Sequence, residues 1–278
     1  MIDKLNDLEY TPAPISSNED ERLEAVKRTG AMYIDQDELY EVYCYLAKEI
    51  TGCSVSWTGL IDSENQYCLA SDGFPNNTEK SIPRKQTFCQ YALAKTEPLI
   101  VENLNEHKAF RNHPLVKDGI VQFYAAFPIV TSDGYTLGTL CVSDSKTVKL
   151  NNNQVKLLKG LSNKLSYQLE IQENFRKKSA ENLIEIIDKI TNQISNLTVS
   201  EIKIILKYFS NQTLDSMEKK FLIDIKIVDN DDKKLELTKF GNNLKNELSL
   251  QKGILKRVKN LSSNEEDLNK LLSQIKEN

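Results

Sequence analysis

Histidine is scarce in this 278-residue chain, which has only His107 and His113, and tryptophan occurs once, at Trp57. The five cysteines (Cys44, Cys53, Cys68, Cys89 and Cys141) are odd in number, scattered, and nowhere arranged as C-x-x-C. A structural zinc site or a disulfide framework is therefore not expected, and the thiols read as reduced, small hydrophobes. No apolar run reaches the ~18 residues of a membrane span. The first ten residues lack the basic start and apolar core of a secretory signal, so the cytoplasm is the expected location. Neither charge sign dominates: 36 basic residues face 40 acidic ones, and residues 179–278 are neutral. A chain without a basic excess is a poor match for a phosphate backbone, which argues against nucleic acid as partner. The chain carries no G-x-S-x-G, P-loop, H-R-D, H-E-x-x-H or GGDEF-like text, and no serine–histidine–acid set assembles. The sequence thus names no catalytic residue, no metal ligand and no cofactor, and an enzyme is not expected.

What is present is a soluble composition, 40% hydrophobic and 27% charged, in a length sufficient for one large domain or two small ones. Residues 1–18 are polar, contain Thr11-Pro12-Ala13-Pro14, and read as a flexible arm. From Glu19 to Ile50 the apolar residues recur at helical spacing, with Gly30 and Asp35–Asp37 dividing two helices. Cys53–Ile61 and Gln66–Ser71 predict a hairpin around Asp62-Ser63-Glu64-Asn65. A short helix over Phe88–Lys95 and a strand over Pro98–Val101 follow. Residues 102–120 are long and polar without strand period, the kind of loop that carries function or a short helix. Val121–Val130 and Tyr135–Ser143 predict a second hairpin, in which Gly134 supplies the turn and Gly138 permits close backbone approach.

Asn151 and Gln154 resemble a capping box that opens a long helix. Its first stripe is Leu158, Leu161, Leu165 and Leu169. Its second, Leu183, Ile187, Ile190, Ile194 and Leu197, has near-heptad steps that serve either a packing face within the chain or a dimeric coiled coil over 173–197. Thr198 to Glu201 is a capping box for a helix at ~199–209. Leu214, Met217 and Phe221 mark another helix, Ile223–Val228 and Leu235–Leu237 a hairpin, Gly241–Leu261 a helix, and Ser263 the cap of a last one. Residues 198–278 are thus a small, mainly helical module.

Specific text joins this order of elements. The chain contains Thr87-Phe88-Cys89, Pro98-Leu99-Ile100-Val101, Phe110-Arg111-Asn112-His113-Pro114-Leu115-Val116, Phe123-Tyr124-Ala125-Ala126-Phe127-Pro128, and Asp133-Gly134-Tyr135-Thr136-Leu137-Gly138-Thr139-Leu140-Cys141-Val142-Ser143-Asp144. These resemble the bacterial GAF domains found ahead of histidine kinases and diguanylate cyclases, over residues 19–172. The resemblance implies an α+β, PAS-like fold with a central antiparallel sheet of five or six strands. It places the terminal helices on one face and the irregular middle segment on the other, enclosing a small-molecule pocket. The chain departs from the family text at His107-Lys108-Ala109-Phe110, where Asp-x-Arg-Phe is usual, at Tyr91 in place of a histidine, and at Ala126 in place of a glycine.

Five residues are candidate ligand contacts: Trp57, Phe123 and Tyr124 as aromatic strand residues, Cys89 at a helix start that favours a thiolate, and Arg111 as a planar partner for an anion. Cys89 equally suits a small wedge between helix and sheet. Cys141 reads as core, and His107 and His113 as parts of a solvated loop. The expected function is a sensor that binds a small molecule or dimerises through its terminal helices, relaying its state to a protein partner through the C-terminal helices. Two alternatives stay open. One is a transcription regulator whose 198–278 module is similar to a winged helix. The other is a reductase of the free methionine sulfoxide kind, whose cysteine spacing is not reproduced here.

Overall fold

The computed structural model describes residues 10–32, 37–74, 79–231 and 234–248. The expected helix beyond residue 248, the cap at Ser263 and the helix it opens lie outside the described residues, as do residues 1–9. The chain divides into two compact units, Met1–Asn174 and Phe175–Asn278.

The first unit is built on six strands: β1 (Val55–Ile61), β2 (Asn65–Asp72), β3 (Ser81–Pro83), β4 (Leu99–Val101), β5 (Phe123–Val130) and β6 (Thr136–Asp144). They pair antiparallel in the order β3-β2-β1-β6-β5-β4. Both expected hairpins are present, and the sequence reading missed only the three-residue β3. The helices α1 (Glu19–Thr29) and α2 (Asp37–Thr51) precede the sheet, α3 (Pro114–Lys117) lies in the irregular middle, and α4 (Asn152–Gln193) follows it. Asn151 opens α4 as a reciprocal cap. Its Oδ1 accepts from the Gln154 N–H at 3.0 Å, and its own N–H donates to Gln154 Oε1 at 2.9 Å.

Alternation along the strands divides the core. Phe123, Ala125, Phe127 and Ile129 of β5 join Tyr40, Cys44 and Ala47 of α2 and Leu158, Leu165 and Leu169 of α4. Tyr124 and Ala126 point to the other face, where Phe88, Cys89, Leu104, Phe110, Val116 and Cys141 form a second cluster. β1 and β6 touch at Gly138, where a Cβ would lie 2.0 Å from the Gly59 carbonyl oxygen. The turn before β6 uses Gly134 at φ 90°, as its position predicted.

The arm expectation fails for residues 10–13, which are held against the domain. Tyr10 is only 3% exposed. Its hydroxyl donates to the Thr87 carbonyl at 3.3 Å and accepts from Gln90 Nε2 at 3.1 Å. The Ala13 N–H donates to Gln90 Oε1 at 3.0 Å. A buried aromatic ring with a satisfied hydroxyl outweighs the mobility that its polar neighbours suggest.

In the second unit, α5 (Val199–Phe209) and α6 (Ser216–Asp224) precede a hairpin of β7 (Val228–Asp231) and β8 (Lys234–Leu237), followed by α7 (Lys239–Glu247). Capping boxes at Thr198/Glu201 and Asp215/Glu218 start α5 and α6. The strand expected from Ile223 begins only at Val228. The apolar run Ile223 to Val228 first completes α6, then turns through Lys226 at φ 60°. Leu183, Ile187 and Ile190 are buried with Ile205, Leu222, Ile227 and Leu244 in this unit's own core. Of the two uses left open for the near-heptad spacing, these residues serve packing within the chain.

Candidate functional site

On the sheet face away from α1, α2 and α4, the chain encloses a cavity of about 470 Å³, within the range of small-molecule pockets. Trp57 and Cys68 from β1 and β2 border it, with Thr87, Phe88 and Cys89 at one side and His113, Leu115, Ile120 and Val121 over it. The long loop of residues 102–120 is thus a cover, and its fold explains how it holds. Phe110 is fully buried and meets Phe88 edge-on at 5.4 Å.

His113 fixes the cover's geometry. Its Nδ1 accepts from the Leu115 N–H at 3.2 Å, capping α3, and its Nε2 lies 3.0 Å from the Gln86 carbonyl. Only a neutral ring protonated on Nε2 satisfies both partners. Burial, partly offset by the Gln86 carbonyl, holds its pKa below the ordinary 6.5. The solvated-loop expectation for His113 is therefore wrong, because the ring is 1% exposed and sandwiched by Tyr10 and Phe88.

The charged residues bordering the cavity are Glu79, Asp118 and Asp144, with no lysine or arginine among the described lining residues. Asp144 spans the start of β1 and the end of β6, accepting from the N–H groups of Ser54 at 2.8 Å and Lys146 at 3.0 Å. Burial opposes its ionisation, yet these backbone donors hold its pKa below the usual carboxylate range. Gln66 also borders the cavity, and its buried Oε1 has no hydrogen-bond partner, an arrangement that costs stability.

Of the five candidate contacts, Trp57 and Cys89 border the cavity and three do not. Phe123 faces the helices on the opposite side of the sheet, because β5 turns every second residue that way. Arg111 is exposed and outside the lining. Tyr124 is fully buried behind the cavity wall, its hydroxyl 3.2 Å from Cys89 Sγ and 3.3 Å from Cys141 Sγ. The two sulfurs are 3.6 Å apart, a contact between residues that sequence reading treated separately. His113, Gln66 and Asp144 were missed. Of these, Asp144 and His113 had a signal, as parts of the Asp133-to-Asp144 and Phe110-to-Val116 text, and Gln66 had none.

An antiparallel sheet backed by its terminal helices, with a covered cavity on the free face, defines an α+β domain of the PAS-like kind. Residues 34–169 match the family model for the GAF domain, and this part of the chain is a GAF domain, a sensory fold. A cyclic di-GMP phosphodiesterase of Pseudomonas aeruginosa is 28% identical over 132 residues, which are 47% of this chain and 22% of that protein. The chain thus spans about a fifth of that curated relative. Among solved structures, the GAF domain of an Acinetobacter phosphoenolpyruvate-protein phosphotransferase is 14% identical, covering 66% of this chain and 99% of that one, with TM-score 0.43. A free methionine-R-sulfoxide reductase of Neisseria meningitidis, solved with its substrate, is 17% identical, covering 61% and 99%, with TM-score 0.42. Among the described residues, no helix is long and apolar enough to cross a membrane.

Proposed function

We propose that the GAF domain is a non-catalytic receptor for a small, largely apolar molecule, uncharged or cationic, and that the chain relays occupancy through α4 to its C-terminal unit. The observation that carries this reading is the cavity, aromatic at Trp57, Phe74 and Phe88, whose described charged lining residues are all acidic. An anionic ligand such as a cyclic dinucleotide would bring its phosphates toward carboxylates, with no cation among the described lining residues to meet them. The departures at residues 107–109 and the position of Arg111 outside the lining agree with a ligand that is not an anion.

A homodimer through the terminal helices belongs to the same proposal. Leu39, Val42, Tyr45 and Leu46 on α2, and Leu157, Tyr167 and Ile171 on α4, are large apolar side chains left exposed, more than single scattered residues. A protein partner for the C-terminal unit is the output this reading needs. A DNA-binding output is the second reading, favoured by the winged-helix-like order α5, α6, β7–β8, α7 and opposed by the neutral charge of residues 179–278.

Native mass spectrometry of the chain purified from its own host, followed by thermal shift against apolar amines, neutral heterocycles and cyclic di-GMP, tests the receptor. A retained neutral or cationic molecule, with stabilisation of roughly 2.7 kcal/mol at a hundredfold excess over Kd, is expected. A shift by cyclic di-GMP alone would overturn the charge argument, and an empty protein that responds to nothing would overturn the receptor. Salt-dependent DNA retardation would favour the second reading. Methionine sulfoxide reduction that disappears when Cys89 and Cys141 are both changed to Ser would replace both with the reductase.

A further inference from the structure

Cys89 and Cys141 are 52 residues apart in sequence, and their sulfurs are 3.6 Å apart. Both are buried, yet Cys89 borders the cavity while Cys141 lies behind it in β6. The two thiols differ in their partners. Cys141 Sγ lies 2.9 Å from Thr139 Oγ1, whereas Cys89 accepts from the Tyr124 hydroxyl at 3.2 Å. They differ in support as well. Cys141 is locked in a central strand, and Cys89 opens a four-residue 3-10 turn, Cys89–Ala92.

We propose that Cys89 and Cys141 form an oxidisable dithiol in which a small hydroperoxide, entering by the cavity, generates a disulfide. Closing the pair to a bond of about 2.05 Å needs an approach of about 1.5 Å, which the turn can supply more readily than the strand. In the first step the Cys89 thiolate attacks the peroxide: an S–O bond forms, the O–O bond breaks, and the leaving oxygen takes a proton as water or an alcohol. Cys89 is now a sulfenic acid. In the second step Cys141 sulfur attacks Cys89 sulfur, the S–O bond breaks, and hydroxide leaves with the Cys141 proton as water. Two thiols are oxidised by two electrons, and the hydroperoxide accepts them.

The environment selects Cys89 as the attacking group. Burial opposes its ionisation, but hydrogen bonding from Cys141, Thr139, Tyr124 and Trp57 outweighs that and brings it down to about 6. Cys141 is pushed up, first by burial and then by Cys89 itself. A more acidic thiol beside a protonated one is the division of labour the two steps require. This chemistry is independent of any organic ligand, so the receptor reading and the dithiol stand or fall separately.

The test is limited treatment of the reduced full chain with hydrogen peroxide, then proteolysis and peptide mapping under non-reducing conditions. The expected first product is a Cys89–Cys141 linked peptide, reversed by dithiothreitol. Cys68, which borders the same cavity and is more exposed, is the internal control. Cys141→Ser should stop the reaction at a sulfenic acid on Cys89 that dimedone traps. Oxidation of Cys68 first, with no linked peptide from the folded wild-type chain, would overturn the proposal whether or not the variant folds.

Discussion

Glu19 and Arg84, 65 residues apart, meet at 2.5 Å, and the same carboxylate also takes two hydrogen bonds from Arg22. Arg22 is 1% exposed and donates onward to the carbonyl of Ile61 at 2.7 Å. One acid of α1 thereby bridges two buried cations and fastens the helix to the sheet. Removing one partner of a buried pair typically costs about 3–5 kcal/mol, and here two guanidiniums lose their counter-charge together. Glu19→Ala should reach that range in urea melts, and Glu19→Gln should recover only part. Burial opposes ionisation of Glu19, but the hydrogen bonds from Arg22 and Arg84 prevail and its pKa lies below the ordinary 4.5. Its stabilisation is therefore complete above pH ~4.5 and is lost as pH falls through the lowered value. Glu19→Gln should flatten that part of the acid limb.

Two glycines give opposite expectations for the same substitution. At Gly138 a Cβ would lie 2.0 Å from the Gly59 oxygen and 2.8 Å from Leu60 Cα, both backbone atoms. Gly138→Ala must push β1 from β6 and should cost upwards of about 3 kcal/mol. Gly160 lies inside α4 with nothing within 4 Å of an added Cβ. Gly160→Ala should stabilise by about 0.5–1 kcal/mol. Thermal melts of the two variants side by side measure the contrast, and equal destabilisation would contradict it.

His113 makes the cover over the cavity sensitive to acid. Its folded pKa is depressed below 6.5 by burial, so the unfolded chain takes up a proton first as pH falls. The neutral ring's contribution is whole above pH ~6.5 and declines as pH drops toward the folded value. His113→Asn keeps an acceptor for the Leu115 N–H and removes the titration. Stability measured at pH 7.5 and 5.5 should fall for the wild type by more than for the variant. A parallel loss in both would show that His113 does not titrate in this window.

Local chemistry was legible in the sequence, and the sidedness of the core was not. Asn151/Gln154, Thr198/Glu201 and Gly134 act within four residues of themselves, and each does what its position predicted. β5 is apolar on both faces because it is buried on both, which erases the period of two that would have separated Phe123 from Tyr124. The run Ile223 to Val228 was ambiguous for a related reason, since a short apolar stretch fits a helix end as well as a strand. The cavity inherited from the GAF resemblance was correct in place. Its polar contacts were not readable, because Gln66 and His113 matter only through the segments that fold onto them. The contact of Cys89 with Cys141 needed the register of β6 against the turn after β3, and no spacing encodes that.

Tyr124 links the dithiol to the sheet and offers a test without altering either sulfur. Its hydroxyl donates to Cys89 at 3.2 Å from full burial. A hydrogen bond to a charged group is worth about 1.5–3 kcal/mol, and 1.36 kcal/mol is one pKa unit. Tyr124→Phe should therefore raise the pKa of Cys89 by roughly one to two units, from a value of about 6 in the wild type. Peroxide consumption at pH 7 should slow in proportion to the lost thiolate, while the linked Cys89–Cys141 peptide remains the product. Thiolate absorbance followed against pH in the wild type and in Tyr124→Phe, with the signal of Cys89→Ser subtracted, reads the shift directly. An unchanged titration would mean that the Tyr124 hydroxyl does not support the thiolate, and that the acidity of Cys89 comes from Cys141, Thr139 and Trp57.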